Sequence, residues 1–216
     1  MSDPLDRWPW LPYVVPFAVF IALTEVQRHI PGAAAWMYPA KVLLVTVLVV
    51  ALRRRLRPEG EWWPVTAILA GFVVLVLWIV PEGHYPLLLA GPAPFDPFGA
   101  LSRPAAWLWI AVRLFGAALL VPVVEEFFWR GFLIRWLVHL DFRAVALGTF
   151  TWYSFVATSV LFALEHDRWL PGLLAGVAYN LLFYRTRSLR ACILAHAVTN
   201  LGLGVYVLAA GQWRFW

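Results

Sequence analysis

The sequence predicts an all-α, polytopic transmembrane helical bundle of about seven to eight spans, and three observations predict it. The chain has 216 residues, of which 62% are hydrophobic and 13% charged. An ordinary soluble domain is about 45–50% apolar and about 25% charged. The apolar residues gather into runs close to the ~20 residues that cross a hydrocarbon core. Aromatic residues such as Trp36, Tyr38, Trp62, Trp63 and Trp169 stand at the ends of those runs, as in the aromatic belts of membrane interfaces.

Taken in order, the runs extend from Leu11 to Arg28, Ala34 to Leu52 and Trp62 to Val80. The fourth starts at Pro104, passes through a pair of glutamates and reaches toward Leu140. The last three are Ala146 to His166, Leu170 to Tyr184 and Ala191 to Ala210. An eighth helix or a re-entrant segment would change the side on which the chain ends. The stretch MSDPLDRWPW is acidic and proline-bearing, and no small-residue cleavage site follows the first run. The first span is therefore expected to act as an uncleaved anchor.

Two connections organise the chain. RRRLRPEGEWW (53–63) is short and basic, whereas 81–104 is long, rich in proline and glycine, and holds one arginine. The second is expected to be an irregular extramembrane loop. It separates an N-terminal unit, 1–103, with about three spans, from a four-span unit, 104–216.

The net charge is +5 and the pI about 9.8, which in a soluble chain would point to nucleic acid. Here the arginines sit in short loops. With the N-terminus cytoplasmic, the inner side receives Arg7, Arg53, Arg54, Arg55, Arg57, Arg130, Arg135, Arg143, Arg185, Arg187 and Arg190. The outer side receives Arg28, Arg103, Arg168 and Arg214. That asymmetry is the positive-inside bias, so the expected partner is the lipid bilayer and not nucleic acid. The single cysteine, Cys192, lies in an apolar run, excludes an intrachain disulfide and reads as a packing residue.

Polar residues inside such runs cost free energy unless they are paired or face a water-filled cavity. The 104–216 unit has four such places: Glu125-Glu126 with Arg130, Phe162 with His166, His196 with Asn200, and a lone Arg113. Residues four apart share a helix face, so Glu126 can pair with Arg130 and His196 with Asn200. Phe162 can wall His166 from lipid. Glu125 is turned about 100° from Glu126 and remains free to face elsewhere. Taken singly, each cluster has a structural reading: an interfacial ion pair, or a packed histidine. Glu165 reads as a decoy or as a partner of the site, since Asp167 and Arg168 suggest an exposed helix end.

The order EExxxRGF, FxxxH and HxxxN on successive apolar helices resembles the CPBP family. That family groups type II CAAX prenyl proteases with bacteriocin-processing and self-immunity (Abi-like) membrane proteins. The resemblance covers roughly Pro104 to Ala210, includes the approach YRTRSLRACILAHAVTN (184–200), and lacks no position of the core motif. PFAVFIALTEV and the RRRLRP loop further resemble a bacterial branch of CAAX prenyl protease-related proteins associated with exosortase systems. The resemblance implies an intramembrane endopeptidase in a bacterial inner membrane. Glu125 would be the base that activates water, and His166 would position that water or Glu125. His196 and Asn200 would donate to the oxyanion. Glu126 with Arg130 would set the electrostatics, Glu126 serving also as a second acid/base. The substrate would be a membrane protein or a lipidated or C-terminally tagged peptide.

No GxSxG, HExxH or repeated Cys/His spacing occurs. The expectation is a glutamate-type protease with no required cofactor. One carboxylate and two histidines, Glu125, His166 and His196, would also suit a zinc ion with an open position for water. Two other classes stay open: a non-catalytic immunity or chaperone-like scaffold, and a haem or quinone binder using His166 and His196, which an absorbance spectrum would reveal. One tension remains. Simple crossings put Glu125 and His196 toward the inner side and His166 at the outer end. Either the fourth helix runs well past Arg130, or spans five and six are displaced, with breaks at Pro122 or Pro171.

Overall fold

A computed structural model describes residues 4–87 and 94–216. Residues 1–3 of the N-terminal stretch and 88–93 of the long loop, and the expectations made for them, lie outside the described residues. Every regular element among the described residues is helical. The seven main helices are α1 (Leu11–Arg28), α2 (Ala34–Leu52), α3 (Pro64–Ile79), α4 (Arg103–Trp136), α5 (Trp152–Leu164), α6 (Trp169–Thr186) and α7 (Leu189–Ala210).

Local chemistry sets the boundaries. α1 and α3 start with proline in the first turn, where the missing N–H has no helical partner to lose. Thr151 caps α5 by accepting from the Ser154 N–H, and Ser188 caps α7 by accepting from the Ala191 N–H. α7 ends at Gly211, whose φ of 65° stops the helix in the left-handed region.

The fifth run was expected to be helical from Ala146. The helix starts at Trp152 instead, because Gly148, at φ 72°, and the Thr151 cap end the preceding loop there. α4 is the long element, 34 residues or about 51 Å. Two wider, π-helical stretches interrupt it, Gly116–Leu120 and Phe127–Leu133. Pro122 was expected to allow a break. It lies just after the first of these wider turns, and the helix continues through it. Pro171 sits in the first turn of α6 and breaks nothing.

α2, α4 and α7 are long and apolar enough to cross a membrane; α3 and α5 are apolar but shorter. The protein is a helical membrane bundle. α3 packs into the four-span unit, along α6 and α7. A Cβ on Gly71 would lie 2.5 Å from the Ala195 carbonyl oxygen, and Thr199 Oγ1 donates to the Gly71 carbonyl at 2.8 Å. Gly71→Val must push the two helices apart. It is expected to destabilise by about 3 kcal/mol, lowering Tm in detergent by roughly 5–10 °C.

Candidate active site

Arg130 organises the polar centre. It is 1% exposed, yet each face of its guanidinium is engaged. Nη1 donates to Glu126 Oε1 at 3.0 Å, Nε to Asn180 Oδ1 at 3.0 Å, and Nη2 to the Gly176 carbonyl at 3.3 Å. The rings of Phe162 and Tyr179 lie 4.9 and 5.4 Å from its carbon. The Glu126–Arg130 pair expected from the sequence is present, and Arg130 additionally ties α4 to α6.

Glu126 Oε1 also accepts from His196 Nδ1 at 3.0 Å. A carboxylate only accepts, so Nδ1 of His196 is the donor in this bond. Tyr179 stacks on the His196 ring at 5.1 Å, with its hydroxyl held by Thr199. His166 is fixed by the same logic: its Nδ1 donates to the Phe162 carbonyl at 2.8 Å. The Phe162 ring contacts both imidazoles, 4.9 Å from His166 and 6.4 Å from His196. Trp78 of α3 meets His166 edge-on at 5.2 Å. Phe162 thus walls His166 on one side, and the N-terminal unit supplies another wall.

The three motifs therefore converge, and the tension over depth resolves through α4. Glu125 lies 22 residues from the start of the helix and 11 from its end, about 33 and 16 Å along the axis. α5 has only 13 residues, so the turn after it stays within reach of this level.

Glu125 and Glu126 are distinct. Both are buried, at 4% and 0% exposure. Glu126 has committed one oxygen to two donors, while Glu125 Oε2 and Glu126 Oε2 have no hydrogen-bond partner. A buried acceptor left in this way calls for a donor from elsewhere.

The expected His196–Asn200 pairing is not what forms. His196 turns to Glu126, and Asn200 Nδ2 donates to the Ala117 carbonyl at 2.8 Å. Ala117 lies in the first wide turn of α4, where the helix's own ladder is loosened and a carbonyl is free to accept. One amide N–H of Asn200 is thereby committed.

Sequence reasoning passed over Asn180, whose amide donates to Thr158 Oγ1 and Ser159 Oγ while accepting from Arg130. An asparagine inside an apolar run was the available signal. The helix end at 165–168 was expected to be exposed, and it is anchored instead. Glu165 accepts from Trp129 Nε1 at 3.1 Å, and Asp167 pairs with Arg28. Arg168 forms a bidentate pair with Glu82 at 2.9 and 3.0 Å. Four consecutive side chains are thus held by different parts of the bundle, and His166 is among them. The double variant Glu82→Gln/Asp167→Asn is expected to lose about 1–2 kcal/mol locally. Amide exchange should rise at 164–170 while α4 stays protected; unchanged exchange there would count against the anchor.

Among the described residues no three His, Cys, Asp or Glu side chains converge so as to hold a metal ion. Both imidazoles are held through Nδ1, His196 by Glu126 and His166 by a carbonyl, which leaves the Nε2 atoms as the ones able to ligate.

A helical membrane bundle with a buried Glu–Glu–Arg–His–His–Asn centre defines a class, the polytopic intramembrane proteins whose polar residues meet inside the helices. Residues 106–202 match the family described as Rce1-like, type II CAAX prenyl endopeptidase Rce1-like. Over those residues the chain is similar to CAAX-protease-like intramembrane peptidases. No curated protein and no solved structure matches the chain.

Proposed function

We propose that the chain is a glutamate-type intramembrane endopeptidase, multi-pass in a bacterial plasma membrane, that cuts a membrane-associated protein near its C-terminus. The observation that carries this reading is the unpartnered, buried Oε2 of Glu125 beside Glu126, whose own charge is already committed to Arg130 and His196. Glu125 takes a proton from water as the hydroxide adds to the scissile carbonyl. His196, carrying a proton on Nε2 as well as on the Nδ1 that Glu126 holds, and the uncommitted N–H of Asn200 donate to the oxyanion. The tetrahedral adduct collapses as Glu125 returns its proton to the leaving amine. His166, locked by the Phe162 carbonyl, positions the attacking water. A zinc-dependent version of the same reaction would use Glu125 and the Nε2 atoms of His166 and His196 as ligands.

The test uses vesicles prepared from membranes that carry either the wild type or Glu125→Gln, with chain termini compared by mass spectrometry. New C-termini that arise with the wild type, vanish with the variant and persist with a tight zinc chelator are the expected result. Loss with the chelator would move the chemistry to a metal. The same termini with both proteins would remove Glu125 from the reaction.

A further inference from the structure

Arg113 stands apart from the other arginines of α4. Arg130 makes three hydrogen bonds, as does Arg135, to the carbonyls of Val145, Gly131 and Arg143. The guanidinium of Arg113 makes no hydrogen bond or ion pair among the described residues. Its Nε is buried and unpartnered, and its contacts are the faces of Tyr38 at 4.4 Å and Trp216 at 5.9 Å. The same Tyr38 ring has a second cation 5.0 Å from its centre, Lys41 of α2. Lys41 is 3% exposed, gives one N–H to Thr24 Oγ1 at 2.7 Å and otherwise faces the Phe20 ring at 4.5 Å. The charge that acts on it is Arg113, another cation. Two cations gathered on one buried tyrosine, with no carboxylate paired to either among the described residues, is a balance that lacks its anion.

We propose that Arg113 and Lys41 form a binding site for the phosphate of an anionic phospholipid. The guanidinium fork with a free Nε suits a tetrahedral phosphate oxyanion, and the Lys41 ammonium over the same Tyr38 ring adds charge. Position favours a lipid as the source. Lys41 is two turns from the start of α2, Thr24 one turn from the end of α1, and Arg113 in the third turn of α4. All three therefore lie toward the same end of the bundle, where Tyr38, Trp109 and Trp216 gather. Leu108 and Phe115 of α4 are exposed, so acyl chains can lie against the helix that carries Arg113. Basic sites between transmembrane helices bind lipid headgroups in this manner.

The test is native mass spectrometry of the full chain in detergent, titrated with phosphatidylglycerol and, separately, with phosphatidylcholine. The wild type should take one phosphatidylglycerol at least tenfold more tightly than phosphatidylcholine. Arg113→Gln should erase that preference, Arg113→Lys should keep part of it, and Lys41→Met should weaken it several-fold. Circular dichroism checks that each variant is folded, and removing an unpaired charge should not unfold the bundle. Soluble glycerophosphoglycerol at equal concentration should not displace the lipid. Equal binding by Arg113→Gln, no preference for phosphatidylglycerol, or displacement by the soluble headgroup would each overturn the lipid site. So would capture of a peptide carboxylate with phosphatidylglycerol ignored.

Discussion

Arg130→Met is expected to cost the protein a large share of its stability. The substitution keeps the length and much of the volume of the side chain but removes every N–H that holds the centre. Glu126 then retains one donor, His196, for a fully buried charge, while Asn180 Oδ1 and the Gly176 carbonyl lose theirs. Breaking a buried pair by removing one partner costs about 3–5 kcal/mol, because the other charge stays behind uncompensated. Against a total of about 5–15 kcal/mol for a folded domain, this is a loss that thermal unfolding in detergent, followed by tryptophan fluorescence, will register as a fall in Tm of roughly 10 °C or more. Arg130→Met/Glu126→Gln should recover part of the loss, since the stranded carboxylate is gone. Arg130→Lys should fall between, with a single point charge near Glu126 and no fork for Asn180 and Gly176. A Tm for Arg130→Met within a degree or two of the wild type would mean that the network contributes nothing to the fold.

Much of this centre was readable because its parts are local. Glu126 and Arg130 are four residues apart on one helix, and that spacing alone brings them together. α1 and α2 begin and end where the apolar runs do, since in a bilayer-sized run the apolar residues leave little else to decide. What could not be read depends on contacts between helices. Nothing in HAVTN says that His196 will reach across to Glu126 while Asn200 turns to a backbone carbonyl of α4. That choice follows from the wide turn at Gly116–Leu120, which no propensity signals. Likewise EHDR looks like a solvated helix end until Arg28 of α1 and Glu82 of the loop after α3 are found folded over it. Each of those partners lies more than 80 residues away in sequence. The match to Rce1-like endopeptidases stops at 106–202, but three of the side chains that anchor the His166 turn come from before it. Trp78, Glu82 and Arg28 all belong to the N-terminal unit. The polar centre is therefore completed by helices that the motif does not contain.

Glu125→Gln and Glu126→Gln are expected to separate chemistry from support, although the two residues are adjacent and both buried. Glutamine at 125 preserves size and adds an N–H to a position whose Oε2 has no partner. Nothing bonded is broken, so Tm should stay within a few degrees of the wild type. Cleavage should nevertheless fall by about a hundred- to ten-thousandfold, the range for loss of a general base, because an amide cannot take the proton from water. Glutamine at 126 does the reverse first. It removes the charge that Arg130 and His196 share, leaving a buried guanidinium with one polar amide and one carbonyl. The expected loss is several kcal/mol, visible as a fall in Tm before any substrate is added, and cleavage falls with it as His196 loses its orientation. The decisive quantity is the ratio of activity to folded protein. For Glu125→Gln it should collapse with the fold intact, whereas for Glu126→Gln both should decline together. If the two variants behave alike in stability, the pair acts as a single ionic unit, and the assignment of the base to Glu125 would not stand.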